Sequence, residues 1–297
     1  MRTISSGLRV CLVMLLVTAN TLPHALVLFA MAAIRLLAPT AGLRRACGAA
    51  SGAIAESWIG VNNAMIGALT PTVFTVSVDA SLRRDGRYLV LANHQSWVDI
   101  LVLQKIFNRR IPLLRFFLKR ELFWVPVLGL CWWALDFPFM RRHTREQIER
   151  RPELAGRDIE TTRRACAKFR DVPVAIMNFV EGTRFTPAKH DAQASPYRHL
   201  LKPRSGGVAF VLDAMGDALE AILDVTIVYP AGHPTMVDLF AGRIAEVRVE
   251  VRQRAITRDL VGDYQNDAEF RERFQQWMNA LWAGKDATFA RLLGDPR

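Results

Sequence analysis

Cysteine is scarce in this chain, and what there is does not form a site. Cys11, Cys47, Cys131 and Cys166 are widely spaced, with no Cys-x-x-Cys pair and no clustered histidines to complete a zinc site. No metal is therefore expected, and the four thiols read as small buried residues of a reduced, cytoplasm-facing protein. Acidic residues are also in deficit, 28 Asp and Glu against 39 Lys and Arg, which leaves a formal charge of +11. That excess favours an anionic partner: nucleic acid, a lipid headgroup surface or a phosphorylated substrate. The cations are scattered rather than set in a basic stripe with interleaved aromatics, so no nucleic acid is expected, although a membrane-tethered basic nucleic-acid-binding protein is the alternative of a different class. Repeats and low-complexity tracts are lacking. At 297 residues and 51% apolar content, one sizeable core with accessory segments is the natural expectation.

Charge is missing altogether from Val10 to Ile34, a run long enough to cross a bilayer core and too long for a signal peptide. Arginines flank it on both sides (Arg2, Arg9, Arg35, Arg44 and Arg45), so the positive-inside rule assigns no orientation. Pro23, with Asn20 and His24 nearby, could divide the run into two helices that enter and leave on one side; a single span and a hairpin both stay open. His24 is expected to be structural rather than a proton relay. Residues 46–69, rich in Ala and Gly, read as a helix at the interface or packed on the main domain, ending at Thr70-Pro71. The chain then divides into a membrane-associated helical segment, 1–70, and an α/β domain, 71–297.

Beyond Pro71, short apolar runs alternate with amphipathic segments. Strands are expected at 73–78, 88–92, 113–118, 137–140, 174–180, 221–229 and 245–251, with a hairpin at Asp85-Gly86; helices are expected at 158–170, 206–215 and 268–283. The charge-rich stretch 141–164 reads as a solvated helix pair or loop. This rhythm predicts an α/β fold, a mixed sheet covered by helices, with an N-terminal hydrophobic membrane-anchoring helix or helical hairpin.

Two short strings carry the chemistry. Asn93-His94-Gln95-Ser96-Trp97-Val98-Asp99 follows the apolar run 88–92, and Glu181-Gly182-Thr183-Arg184 follows the run 174–180. A neutral imidazole, with an ordinary pKa of about 6.5, accepts and returns a proton near neutrality. If His94 opens a helix, Asp99 lies a little over one turn away, close enough to bond one ring nitrogen and leave the other for a substrate hydroxyl. Ser96 is a rival nucleophile, but on a helix it would point elsewhere. In the second string Gly182 permits a turn closed to other residues, and Arg184 offers a planar fork suited to phosphate oxygens. Glu181 is expected to orient Arg184 or to bond an acceptor hydroxyl, since a carboxylate beside a phosphate would be repulsive. Together the strings suggest acyl transfer to a hydroxyl beside a phosphate.

The two strings resemble the Asn-His-x-x-x-x-Asp and Glu-Gly-Thr-Arg blocks of the glycerophospholipid acyltransferases of the 1-acylglycerol-3-phosphate type. Looser similarities follow: Phe139-Met140-Arg141-Arg142 resembles a Phe-Ile-Asp-Arg block with Arg141 in place of its Asp, and Val225-Thr226-Ile227-Val228-Tyr229-Pro230 resembles an apolar block that forms a pocket wall. Lys202-Pro203-Arg204-Ser205-Gly206-Gly207 matches a lysine-then-glycine segment ahead of a helix, which could bind phosphate or be a solvated basic loop. The resemblance implies His94 as general base and Asp99 as its orienter. It places Arg142, Glu181, Gly182, Thr183, Arg184, Lys202 and Arg204 at the acceptor headgroup. It implies no cofactor, an acyl thioester donor (acyl-CoA or acyl carrier protein), a lysophospholipid acceptor, and phosphatidic acid as product. Acylation of a lysocardiolipin or lysophosphatidylglycerol is the alternative, which the Pro-Arg form of the Lys202 segment resembles. The expected setting is a phospholipid membrane, the bacterial inner membrane, with the catalytic domain facing the cytoplasm.

Overall fold

The computed structural model describes residues 5–140, 150, 163, 166–170 and 172–295. Helix α1 (Ser6–Leu37) starts where the Ser5 hydroxyl accepts the Leu8 amide, and runs unbroken through Pro23. Pro23 therefore does not divide the apolar run; its expected hairpin is instead made by α1 with a second helix, α2 (Ala41–Leu69). α2 starts five residues before the expected 46–69 segment, capped by the Thr40 hydroxyl, and stops at Thr70 as expected.

Polar side chains join the two helices. Asn20 Nδ2 donates to Asn62 Oδ1 at 2.9 Å and to the Trp58 carbonyl at 3.1 Å, and Trp58 Nε1 donates to the Thr21 hydroxyl at 3.0 Å. His24 sits between the Asn20 carbonyl and the Ser57 hydroxyl, a helix-to-helix tie. Satisfying these groups between the helices leaves an apolar outer face, where Leu8, Met14, Leu15, Leu22, Leu26 and Leu37 are exposed. Both ends of α1 are tied to the same domain: Arg9 donates to the Ala241 carbonyl at 3.0 Å and Arg35 pairs with Asp136 at 2.6 Å. At 1.5 Å rise per residue these ties lie about 39 Å apart along the helix.

The remaining chain builds a six-stranded mixed sheet in the order β1-β8-β7-β2-β6-β3, from β1 (Val73–Asp79), β2 (Arg87–Ala92), β3 (Leu114–Phe116), β6 (Val174–Phe179), β7 (Ala221–Val228) and β8 (Glu246–Arg254). The hairpin expected at Asp85-Gly86 is absent: β1 runs parallel to β8 at the edge, while β2 lies in the centre, parallel to β6 and β7. The reason is burial. β1 is largely exposed and suits an edge, whereas β2 and β7 are buried on both faces and need cover on each. Leu89 and Leu91 pack under the helices Gly206–Met215 and Ala268–Leu293, while Tyr88, Val90 and Ala92 face helix α3 (Val98–Phe107). The expected strand 113–118 splits at Phe117, and its last residue begins β4 (Leu118–Lys119), which pairs with β5 (Phe139–Met140) in a separate ribbon. The helix expected at 268–283 continues to Leu293 and ends at Gly294 in the left-handed conformation. Most of the expected helix 158–170, and the stretch 141–164 apart from Arg150 and Arg163, lie outside the described residues.

Candidate active site

Three parallel strands end side by side at one edge of the sheet: β2 runs into Asn93, β6 into Glu181, and β7 into Tyr229. Carboxyl ends of parallel strands are where an α/β sheet opens a crevice, because neighbouring connections leave in different directions. Asn93 makes the opening orderly. Its side-chain amide exchanges two hydrogen bonds with the Ile227 backbone, at 2.8 and 2.9 Å, extending the β2–β7 pairing by one residue with a side chain.

His94 does not open a helix as the sequence suggests. α3 begins at Val98, and residues 94–97 form a loop that wraps the Asp99 carboxylate in the first helical turn. Asp99 Oδ2 accepts the amides of Gln95 and Ser96 at 2.7 and 2.9 Å, and His94 Nδ1 at 2.9 Å. Asp99 Oδ1 accepts the Tyr229 hydroxyl at 2.6 Å. Burial and the adjacent carboxylate push the Tyr229 phenol well above its ordinary value, so it stays a donor. Because a carboxylate can only accept, Nδ1 of the ring carries the hydrogen and Nε2 presents its lone pair. The ring lies flat on Phe179, centroids 3.9 Å apart, which fixes its plane. Ser96 is buried, its hydroxyl donating to the Pro234 carbonyl and accepting the Val98 amide, so it braces the turn that leads into α3 rather than facing the crevice.

The second string is bolted to the first. Glu181 takes neither partner expected of it: it is completely buried, with Oε1 accepting the His94 amide at 3.1 Å and Oε2 the Leu201 amide at 3.2 Å. Burial pushes its carboxyl up to about 8 despite the two amides and the charge of Lys285. The Phe185 amide donates to the His94 carbonyl at 2.7 Å, a further tie between the strings. Gly182 has φ +69°, and a Cβ there would come within 3.0 Å of Arg204 Cδ, so the glycine serves both the turn and the close passage of Arg204. The Arg184 guanidinium lies over the exposed Trp97 ring, 4.8 Å from its centroid. The Thr183 hydroxyl and the Arg184 carbonyl both accept Lys189 Nζ, at 2.8 and 3.0 Å. Arg204 is exposed beside Gly182, and Lys202 is exposed with its amide bonded to Gln193. Arg142 lies outside the described residues.

Sequence reasoning missed Lys189, Phe179 and the inward turn of Glu181. Tyr229 was legible only as a pocket wall, although a tyrosine at a strand end beside a proline is a usable signal. The rings continue from Phe179 to Phe116 (6.2 Å) and on to Phe137 (6.3 Å), which lines an apolar cavity with Trp58, Ile59, Phe107, Leu114 and Trp132.

The family model described as Acyltransferase matches residues 73–232, which hold both strings and the three strand ends that carry the crevice. The chain is similar to 1-acyl-sn-glycerol-3-phosphate acyltransferase 3 of Arabidopsis thaliana, 26% identical over 67% of this chain and 52% of the relative. The corresponding figures are 28%, 70% and 53% for acyltransferase 2 of the same description from Brassica oleracea. For the gamma form from Mus musculus they are 26%, 73% and 56%. The chain thus spans about half the length of these curated relatives. Its fold is similar to the crystal structure of the 1-acyl-sn-glycerophosphate (LPA) acyltransferase PlsC from Thermotoga maritima, with a TM-score of 0.55 over 97% of this chain and 98% of that one, at 14% identity.

Proposed function

This chain belongs to the acyltransferase family, and on that premise we propose that it moves a fatty acyl group from an acyl thioester to the free hydroxyl of 1-acylglycerol-3-phosphate, giving phosphatidic acid. The observation that carries the reading is the His94 ring, held by Asp99 through Nδ1 and by Phe179 through its face, with Nε2 left to accept a proton. In this reading Nε2 removes the hydroxyl proton as the acceptor oxygen attacks the thioester carbonyl. The tetrahedral intermediate then expels the thiolate, which takes the proton back from the imidazolium. Asp99, stripped of water and already holding three other donors, stabilises the imidazolium without moving. No enzyme nucleophile is needed, and the reaction draws on no cofactor beyond the acyl carrier itself, coenzyme A or acyl carrier protein.

Arg184, Arg204 and Lys202 supply cations on the crevice side of the second string, with Arg142 a further candidate, and they are read as the acceptor phosphate site. Arg184 is steered by Trp97, and Thr183 and Gly182 set the turn that delivers it. Glu181 acts from beneath as a brace. The aromatic run to the cavity beside α2 suits an acyl chain entering from the membrane. Residues 1–70 form the membrane-associated segment and 71–297 the acyltransferase domain. α1 is the one helix among the described residues long and apolar enough to cross a membrane. Its ties at Arg9 and Arg35 favour a helix pair embedded along one leaflet; in this reading the membrane is the bacterial inner membrane and the catalytic domain faces the cytoplasm. The alternative acceptor is a lysocardiolipin or a lysophosphatidylglycerol, for which the exposed Arg204 beside Gly182 is a further cation. Incubation of the purified chain in lipid with labelled acyl thioester and a panel of lysophospholipids, followed by product identification, tests the reading. Transfer to 1-acylglycerol-3-phosphate supports it, and no acyl transfer to any acceptor overturns it.

A further inference from the structure

The C-terminal helix Ala268–Leu293 lies outside the residues matched by the family model, yet two consecutive side chains on it hold the backbone segments that lead into the two halves of the crevice. Lys285 is 1% exposed and enters the sheet from beneath. Its ammonium pairs with Asp224 of β7 and donates to the Val225 carbonyl at 2.6 Å, with the Leu91 carbonyl of β2 at 3.5 Å. Val225, paired with Ala92, is the last β7 residue before the β2–β7 pairing passes to the Asn93 side chain, and Leu91 lies one residue back along β2. Asp224 is held from its other side by Arg254 Nε of β8 at 2.8 Å, so the lysine is the centre of a buried cluster spanning three strands. Asp286, the next residue, accepts the Arg198 amide at 2.9 Å on one oxygen and the His199 amide at 2.8 Å on the other. That segment continues directly to Leu201, whose amide binds Glu181, and to Arg204, whose amide binds the Val180 carbonyl at 2.8 Å.

We propose that Lys285 and Asp286 are positioning residues for acyl transfer, Lys285 setting the strand ends that carry His94 and Asp286 setting the segment that carries Lys202 and Arg204. The assignment rests on the acyl-transfer reading of the crevice. A buried ammonium is costly to desolvate, and it is held here by one carboxylate and backbone carbonyls at the strand ends that shape the His94 loop. A two-oxygen grip on successive amides likewise fixes the direction in which the Lys202–Arg204 segment leaves. Neither side chain reaches the crevice itself, so each acts through others, and each acts on a different half.

The two halves make distinguishable predictions in steady-state kinetics with 1-acylglycerol-3-phosphate and acyl-CoA. Asp286→Ala raises the acceptor KM about tenfold with kcat and the donor KM changed less than about twofold, and Asp286→Asn, which keeps one acceptor oxygen, falls between Ala and wild type. Lys285→Met lowers kcat about tenfold with both KM values nearly unchanged. Adding Asp224→Asn to it removes the carboxylate that has lost its lysine and keeps only Arg254, so a kcat loss that persists in the double variant reports the lost carbonyl contacts rather than a charge imbalance. Amide hydrogen exchange is read alongside and does not depend on activity: Asp286→Ala must lose protection at Arg198 and His199, and Lys285→Met at residues 93–96. Exchange that responds in a chain with no acyl transfer would sink the function but leave the clamp. Normal exchange and kinetics in Asp286→Ala, or no Asn rescue of the acceptor KM, overturns the assignment of Asp286. An acceptor KM effect from Lys285→Met with kcat intact overturns that of Lys285.

Discussion

Glu181 accepts the backbone amide of His94 at 3.1 Å, so the second motif holds the first in place from beneath rather than facing it across a substrate. The relationship turns two strings separated by more than eighty residues into one rigid floor, and it leaves the working face to His94, Arg184 and the exposed cations around Gly182.

Replacement of His94 by Ala is expected to lower kcat by a factor of about 10² to 10⁴, because the proton acceptor is gone while the membrane helices are untouched. Asp99→Asn should also be impaired, since an amide can turn its NH2 towards Nδ1 and present the wrong partner to the ring. Turnover assays beside a membrane-flotation control separate chemistry from binding. Near-normal turnover in His94→Ala would remove the ring from the mechanism.

Glu181 makes stability depend on pH in an unusual direction. Its folded carboxyl sits at about 8 against an ordinary 4.5, so the folded chain holds the proton more tightly than the unfolded one. The resulting stabilisation is fully present below pH 4.5 and is lost as pH rises through 8. Glu181→Gln cannot titrate, so the wild type should lose ground to it by a few kcal/mol, order of magnitude, across that window. Melting temperatures of the two proteins, measured side by side against pH, check this; a difference that stays constant contradicts the burial argument.

Arg184 is placed by Trp97, which suggests a graded series. Arg184→Lys keeps the charge but loses the planar fork, Arg184→Ala loses both, and Trp97→Leu leaves the arginine unsteered. The acceptor KM should rise in Lys and further in Ala, with Trp97→Leu raising it by about three- to tenfold, the worth of an exposed to partly desolvated cation–π contact. The ratio of acceptor to donor KM is the quantity to follow. A change confined to the donor would move the phosphate site to Lys202 and Arg204.

Single cysteines placed at Ser5 and Leu37, at the two ends of α1, in a chain whose own four cysteines, the exposed Cys11 of α1 among them, are replaced by serine, should both react with a membrane-impermeant maleimide added from one and the same side of sealed vesicles, because Arg9 and Arg35 tie those ends to one domain. Labelling from opposite sides would mean that α1 crosses the bilayer and that these ties are not made in lipid.

Much of this was legible in the chain itself. The uncharged run from Val10 to Ile34, the apolar β2 and β7 segments, and the His94 and Glu181 strings are local signals: residue type and spacing determine that a helix needs an apolar surrounding, that strands need cover on both faces, and that an imidazole and a carboxylate lie within reach of each other. Which strand pairs with which was not local. Asp85-Gly86 reads as a hairpin from its turn chemistry, but burying both faces of β2 gains more than a short antiparallel pair with a largely exposed β1, so β2 lies between β6 and β7. Pro23 reads as a break, but contacts with α2 keep α1 helical through the lost hydrogen bond. The direction in which Glu181 points, the donation from Tyr229 to Asp99, and the reach of Lys285 and Asp286 depend on residues brought together over 87, 130 and up to 194 positions. Composition and periodicity carry no record of such pairings, because each is decided by how the packed sheet and its last helix satisfy polar groups that water can no longer reach.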